Sequence, residues 1–245
     1  MDDRTLDAYL ARIGATRADT LVELHERHVA AVPFENLDIH LGEEIVLDED
    51  LLVDKIVNRG RGGFCYELNG AFAALLRALG HDVQLLSAKV FNDGAYGPPF
   101  DHLALRVGDA LVDVGFGRFS LRPLDLVSRA EQHDPAGVFR VVDTPDKDVD
   151  VLFDGEPQYR LELRPRTLDE FRATCWYQQT WPRSPFRRGA TCSLPTPTGR
   201  ITIAGNRLIT TNGDEKVVEE LDDDALLDAY AKHFGVVLDR VPRLS

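Results

Sequence analysis

The chain has 245 residues, 44% of them apolar, and 41 acidic against 28 basic side chains give a formal net charge of −13. That length can bury a sizeable core divided over two or three small subdomains, and the charge argues against non-specific nucleic-acid binding and against docking on anionic membranes. Cys65, Cys175 and Cys192 offer neither metal spacing nor an even disulfide framework, Met1-Asp2-Asp3-Arg4 is unlike a secretory leader, and no apolar run spans a bilayer, which together predict a reducing cytoplasm. The first third then reads as helical. Residues 6–13 form a short amphipathic helix stopped by Gly14. Thr20 and Glu23 make a capping box for a second helix that must end before Pro33. His25 and His28 fall on that helix without an acidic or histidine partner, so they are expected to be solvated or hydrogen-bonded rather than metal ligands. Asp48 caps a third helix running to Arg59. A fourth begins near Cys65, where Leu68, Ala71, Phe72, Leu75, Leu76 and Leu79 recur at helical spacing before the Gly80 stop.

From Val83 the pattern changes to strands, at residues 83–91, 102–107, 110–114, 137–142, 151–153 and 158–163. Residues 92–99 are a Gly/Pro-rich loop. Thr167 opens a helix to Tyr177, two strands at 199–204 and 206–211 meet at a Gly205 turn, and an acidic-capped helix covers 222–234. This order predicts an α+β architecture with a helical N-terminal subdomain (1–82), a central antiparallel β-barrel (83–185) and a small α/β C-terminal lid (186–245).

The run Arg61-Gly62-Gly63-Phe64-Cys65-Tyr66-Glu67-Leu68-Asn69-Gly70 places a cysteine at a helix N-terminus beside Arg59 and Arg61. Free N–H groups, the positive end of the helix dipole and nearby cations favour a thiolate there. Cys65 also belongs to the buried stripe of its helix, so a small packed hydrophobe is the competing reading. Its candidate partners lie in two strands around Gly108-Asp109. A two-residue loop pairs Val107 with Ala110 and Leu105 with Val112, which puts His102 and Asp113 on one sheet face as diagonal neighbours, roughly 7–8 Å apart at Cα. A three-residue loop would put them on opposite faces. In the first register Cys65, His102 and Asp113 make a nucleophile, a base and its orienter. Arg183, Arg187 and Arg188 around Pro185-Phe186, with Arg118 beyond Gly117, form either a local basic patch for a phosphate-bearing ligand or a solvated arginine face. Cys175 and Cys192 read as packing residues.

The segments 61–69 and Asp113-Val114-Gly115-Phe116-Gly117 resemble the signatures of the arylamine N-acetyltransferases, and Val32-Pro33-Phe34-Glu35-Asn36-Leu37, Leu163-Arg164-Pro165-Arg166 and Cys192-Ser193-Leu194 with Gly199-Arg200 resemble further segments in the same order. The resemblance implies a cysteine-protease-like Cys65–His102–Asp113 core that carries an acetyl group from acetyl-coenzyme A, by way of an acetyl-cysteine, to an aromatic amine or hydrazine, with no metal. It also implies donor contacts at Pro99, Phe100, Asp101, Gly115, Gly117 and Tyr177, joined by Arg183 of the basic patch, and an acceptor pocket walled by Phe34, Phe64 and Phe116. Asp101 departs from the small hydroxyl residue the family usually has there, the interval from His102 to Asp113 is shorter, and the chain ends earlier. The same triad serves two alternatives, an amide synthase of this family acting on a polyketide chain, and a cysteine hydrolase or transglutaminase-like enzyme. The oligomeric state has no signature in the sequence.

Overall fold

The computed structural model describes residues 1–243. Helix α1 (Asp3–Ile13) starts on Asp2, whose carboxylate accepts from the Thr5 N–H at 2.8 Å, and Gly14 ends it in the left-handed conformation. Helix α2 (Leu21–Ala31) opens with the expected Thr20–Glu23 capping box. Strand β1 (Phe34–Glu35) and helix α3 (Leu37–Leu41) follow, neither long enough to leave a periodic signal. Helix α4 (Glu49–Val57) is capped by Asp48 and stops two residues short of Arg59. Helix α5 (Cys65–Ala78) is the hub of the molecule, because every residue from Cys65 to Leu76 is buried. A helix enclosed on all sides must satisfy its polar residues internally, and both Glu67 and Asn69 do so.

The second region is an antiparallel sheet of β2 (Val83–Asn92), β3 (Ala95–Tyr96), β4 (His102–Val107), β5 (Ala110–Val112), β6 (Leu124–Asp125), β7 (Gln132–Asp134), β8 (Gly137–Asp143), β9 (Val149–Phe153) and β10 (Glu156–Leu161). Its order is β6-β5-β4-β2-β10-β9-β8-β7, with β3 folded back on β2, and it curves into a nearly closed barrel around Leu86, Phe139, Val141, Val151 and Tyr159. Gly108 and Asp109 form a two-residue turn, since Val107 pairs with Ala110 and Leu105 with Val112. The even-loop parity therefore holds. The expected loop at 92–99 is partly a hairpin, because Phe91 pairs with Tyr96.

Beyond a 3₁₀ turn at Leu168–Phe171 runs α6 (Arg172–Thr180). A second sheet is then built from β11 (Thr191–Thr196), β12 (Gly199–Ala204), β13 (Arg207–Asn212) and β14 (Glu215–Glu220), and helix α7 (Asp223–Phe234) packs on it through Leu226, Tyr230 and Phe234. Asp222 caps that helix as the sequence predicts. The edge of this sheet is β1, whose Phe34 and Glu35 pair with Ser193 and Cys192. Strand β14 escaped the sequence reading because all six of its residues are exposed and no apolar alternation marks it. No helix among the described residues is long and apolar enough to cross a membrane, and none of their His, Cys, Asp and Glu side chains group to hold a metal.

Candidate active site

Cys65 is the first residue of α5, His102 the first of β4, and Asp113 the residue after β5. These three elements converge because α5 packs against β4 and the turn after β5 closes over the start of α5. That closure depends on Gly115. A Cβ there would lie 2.9 Å from the Cys65 Cα and 2.7 Å from the Asn69 Nδ2. Only a residue without a side chain lets the turn bring Asp113 so near Cys65.

The His102 Nε2 meets the Asp113 Oδ2 at 2.7 Å, with both side chains buried. That engagement leaves Nδ1 as the second ring nitrogen. Asp113 is surrounded by further donors. The Tyr159 hydroxyl donates to Oδ2 at 3.1 Å, and the Asn69 Nδ2 and the Gly115 N–H donate to Oδ1 at 2.9 and 3.1 Å. Burial would raise the Asp113 carboxyl, but the charge and hydrogen bond of His102, with Asn69 and Gly115, hold it below the usual carboxylate range. Asn69 also accepts from the Val114 N–H at 2.9 Å, so one amide fixes both the carboxylate and its backbone.

His25 and His28 are not solvated. Both are wholly buried, and His25 links its Nδ1 to the Leu121 carbonyl at 2.9 Å and accepts the Asp113 N–H at 3.4 Å. His28 pairs with the Tyr9 hydroxyl at 3.0 Å. Both rings thus take part in buried hydrogen bonds.

The electrostatics around Cys65 differ from the expectation drawn from Arg59 and Arg61. Arg59 faces solvent and pairs with Glu43 at 3.0 Å. Arg61 is buried and locked to Glu35 at 2.8 Å and to Asp38 at 2.7 Å. The Lys55 Nζ bonds Asp38 and Glu67 at 2.6 Å each, and Glu67 accepts the Phe64 N–H at 3.1 Å. The arginines thus anchor the loop before Cys65 and have their charge spent on carboxylates. Burial pushes the Cys65 thiol well up, the Leu103 N–H opposes this, and Asp101 and Asp113 add to it. The helix N-terminus remains as a source of anion stabilisation, but a thiolate here needs a proton acceptor close by. His102 shares the cavity with Cys65.

Cys65 and His102 both open on a cavity of about 440 Å³. Of the residues expected from sequence, Asp101, Gly115, Phe116, Phe34 and Tyr177 line it. Pro99, Phe100 and Gly117 do not, although Pro98 beside them does. Gly117 instead supports Phe34, whose ring lies 3.6 Å from where its Cβ would be. Phe64 lies behind the wall, edge-on to Tyr66 and Phe186 at 5.0 Å each, with no exposed surface, because it caps the fully enclosed α5. Arg183 also stays outside, its guanidinium 5.4 Å from the Trp181 ring. The sequence reading missed Phe186, Gln178 and the paired strands of the β2–β3 hairpin, which add to the lining. It also missed Tyr159 and Asn69 as partners of Asp113. Asn69 carried a signal, being a polar residue one helical turn past Cys65 on the buried face. Tyr159 carried none, since only the closed barrel brings it to Asp113.

The family model described as N-acetyltransferase matches residues 18–242. The arylamine N-acetyltransferase pineal gland isozyme NAT-3 of Gallus gallus is 34% identical, over 91% of this chain and 88% of its own length. The arylamine N-acetyltransferase of Mycolicibacterium smegmatis is likewise 34% identical, over 95% of this chain and 92% of its own. A solved structure of the Mycobacterium marinum arylamine N-acetyltransferase in complex with CoA superposes with a TM-score of 0.84 at 30% identity, covering 94% of this chain and 92% of that one.

Proposed function

The chain belongs to the arylamine N-acetyltransferase family, and from that premise we propose that it moves an acetyl group from acetyl-coenzyme A to an aromatic amine or hydrazine through Cys65. The His102 Nε2 to Asp113 Oδ2 bond of 2.7 Å, buried beside a cavity that also holds the cysteine, carries this reading. In the first half-reaction the Cys65 thiol gives its proton to His102, and the sulfur attacks the thioester carbonyl. The unpaired N–H groups in the first turn of α5 offer donors to the oxyanion. The carbon–sulfur bond to coenzyme A breaks, and the proton on His102 leaves with its thiolate. In the second half the amine nitrogen attacks the acetyl-cysteine, His102 takes the amine proton, and the Cys65 thiol is regenerated with that proton. Asp113 keeps the imidazole in one orientation and balances its charge at each stage.

The aromatic walls suit a flat acceptor. Phe116 stands edge-on to His102 at 5.0 Å, and Phe34 and Phe186 lie 6.5 Å apart across the mouth. Anilines and hydrazines are neutral at working pH, so they arrive with the nitrogen lone pair free. That the Mycobacterium marinum relative is solved in complex with CoA supports the same donor here. In this reading residues 1–82 carry the nucleophile, 83–185 the base and its carboxylate, and 186–245 the lid. Three free, buried cysteines fit a reducing cytoplasm.

Intact mass after incubation with acetyl-coenzyme A tests the proposal. One added acetyl on the wild type, lost on adding aniline and absent from Cys65→Ala, is the expected result. An acetyl that leaves for water as fast as it forms would refute amine transfer.

A further inference from the structure

Asp101 is held in an unusual way. It lines the cavity next to His102, and apart from Cys65, His102 and the phenols Tyr96 and Tyr177 it is the one ionisable side chain there. Neither lysine nor arginine lines that space, and no cation lies within ion-pairing distance of Asp101 among the described residues. The loop presenting it is fixed from several sides. Phe100 adopts a left-handed φ of 63°, a conformation that strains a non-glycine residue. It is kept there by its N–H on the Ser87 Oγ at 3.0 Å and by the Tyr66 hydroxyl on its carbonyl at 2.8 Å. The Asp101 carboxylate is itself oriented. The Gln178 Nε2 donates to Oδ1 at 2.6 Å, and the Ser184 hydroxyl donates to the Gln178 Oε1 at 2.7 Å, which fixes the amide. The other oxygen, Oδ2, rests over Gly97, where an added Cβ would lie only 2.3 Å from it.

The cavity therefore carries a rigid carboxylate that no lysine or arginine neutralises, set in aromatic walls beside Cys65 and His102. Burial raises its carboxyl above the usual range against the pull of Gln178, His102 and the Val90 backbone. Resting on the acetyl-transfer reading above, we propose that Asp101 sets the charge selectivity of the acceptor. It admits aromatic amines and hydrazines that are neutral, cationic or carry a second N–H or O–H donor, and it turns away those bearing a carboxylate. Like charges brought together in a site of reduced dielectric repel strongly, whereas a hydrogen-bond donor meets an acceptor that is already oriented.

The test compares kcat/KM for aniline and 4-aminobenzoate at saturating acetyl-coenzyme A in the wild type, Asp101→Asn and Gly97→Ala. The ratio between the two amines is read within each protein, so a general loss of activity cancels. Asp101→Asn should lower the preference for aniline about tenfold, the size expected for removing one nearby like charge. Gly97→Ala, which pushes the carboxylate from its place, should shift the ratio the same way and serves if the first variant folds poorly. A ratio unchanged within about twofold in both variants would overturn the proposal. Should the wild type acetylate neither amine, the transfer reading fails, and equilibrium binding of the two amines by calorimetry decides this one. No gain in 4-aminobenzoate affinity in Asp101→Asn then refutes it.

Discussion

The Asn69 Nδ2 donates to the Asp113 Oδ1 at 2.9 Å, so the helix that starts on Cys65 also grips the carboxylate bonded to His102. Asn69 spends its second amide proton on the Leu103 carbonyl at 2.6 Å, one residue past His102. One side chain thus ties α5 to β4 and to the turn after β5. The relative placement of Cys65, His102 and Asp113 is set by this joint and by the bare backbone of Gly115.

Asn69→Ala removes that joint. It leaves the Leu103 carbonyl and the Val114 N–H unpaired in the interior, at about 1–3 kcal/mol for each orphaned group. Urea unfolding should show a loss of about 3 kcal/mol, and the acylation rate should fall at least tenfold in the protein that remains folded. Unchanged acylation would mean that Asp113 holds His102 without help from α5.

Tyr159→Phe is milder. The ring stays among His102, Phe116 and Phe119, and only the hydroxyl bond to Asp113 Oδ2 is lost. Hydrogen bonds to charged groups contribute about 1.5–3 kcal/mol. Steady-state kinetics should show a lower kcat with KM for the amine nearly constant, because Tyr159 does not line the cavity. A change confined to KM would contradict this placement.

Burial pushes the Cys65 thiol up, and the arginines near it in sequence are paired elsewhere. Thiolate at neutral pH then depends on His102 taking the proton. Iodoacetamide labelling of Cys65 at pH 7, followed by mass spectrometry, should drop at least about tenfold in His102→Ala, since only the thiolate reacts. Equal labelling in the variant would show that the helix N-terminus alone activates the thiol.

Glu67 offers a pH prediction. Two cations, Lys55 and Arg61, face three buried carboxyls, Glu35, Asp38 and Glu67. Burial pushes Glu67 up to about 7 from an ordinary value of 4.5, against the pull of Lys55. Between those values the unfolded chain releases a proton that the folded one keeps, so folding is penalised as pH rises. The stabilising share is full below about 4.5 and gone above about 7. Thermal unfolding should therefore show the wild type losing ground to Glu67→Gln from pH 5 to pH 7, then running parallel to it. Parallel curves across the whole range would place the shared proton elsewhere.

What the sequence revealed follows the range of the interactions involved. Caps at Asp48, Thr20 and Asp222 were legible because the capping group and its N–H lie within a few residues of each other. The His102–Asp113 pairing was legible once the Gly108-Asp109 loop length was chosen. The charge of Arg61 was misread because its partner Glu35 stands 26 residues upstream, beyond any local pattern. The cavity lining drew on the β2–β3 hairpin, α6 and the Pro185-Phe186 turn, which meet only in three dimensions. Phe64 and Phe34 look alike in sequence, yet one is sealed behind the wall and the other lines the cavity.

The pairing of β1 with β11 has a consequence for how this protein is made. Phe34 and Glu35 are translated early, but their strand partners Ser193 and Cys192 emerge more than half the chain later. Until then the edge beside the future cavity has free N–H and carbonyl groups, and closing so long a loop is slow relative to forming local helices. The last sheet to assemble is thus the one that positions Phe34. A nascent or truncated chain ending before Thr191 would carry Cys65, His102 and Asp113 without the strand that seats their aromatic wall.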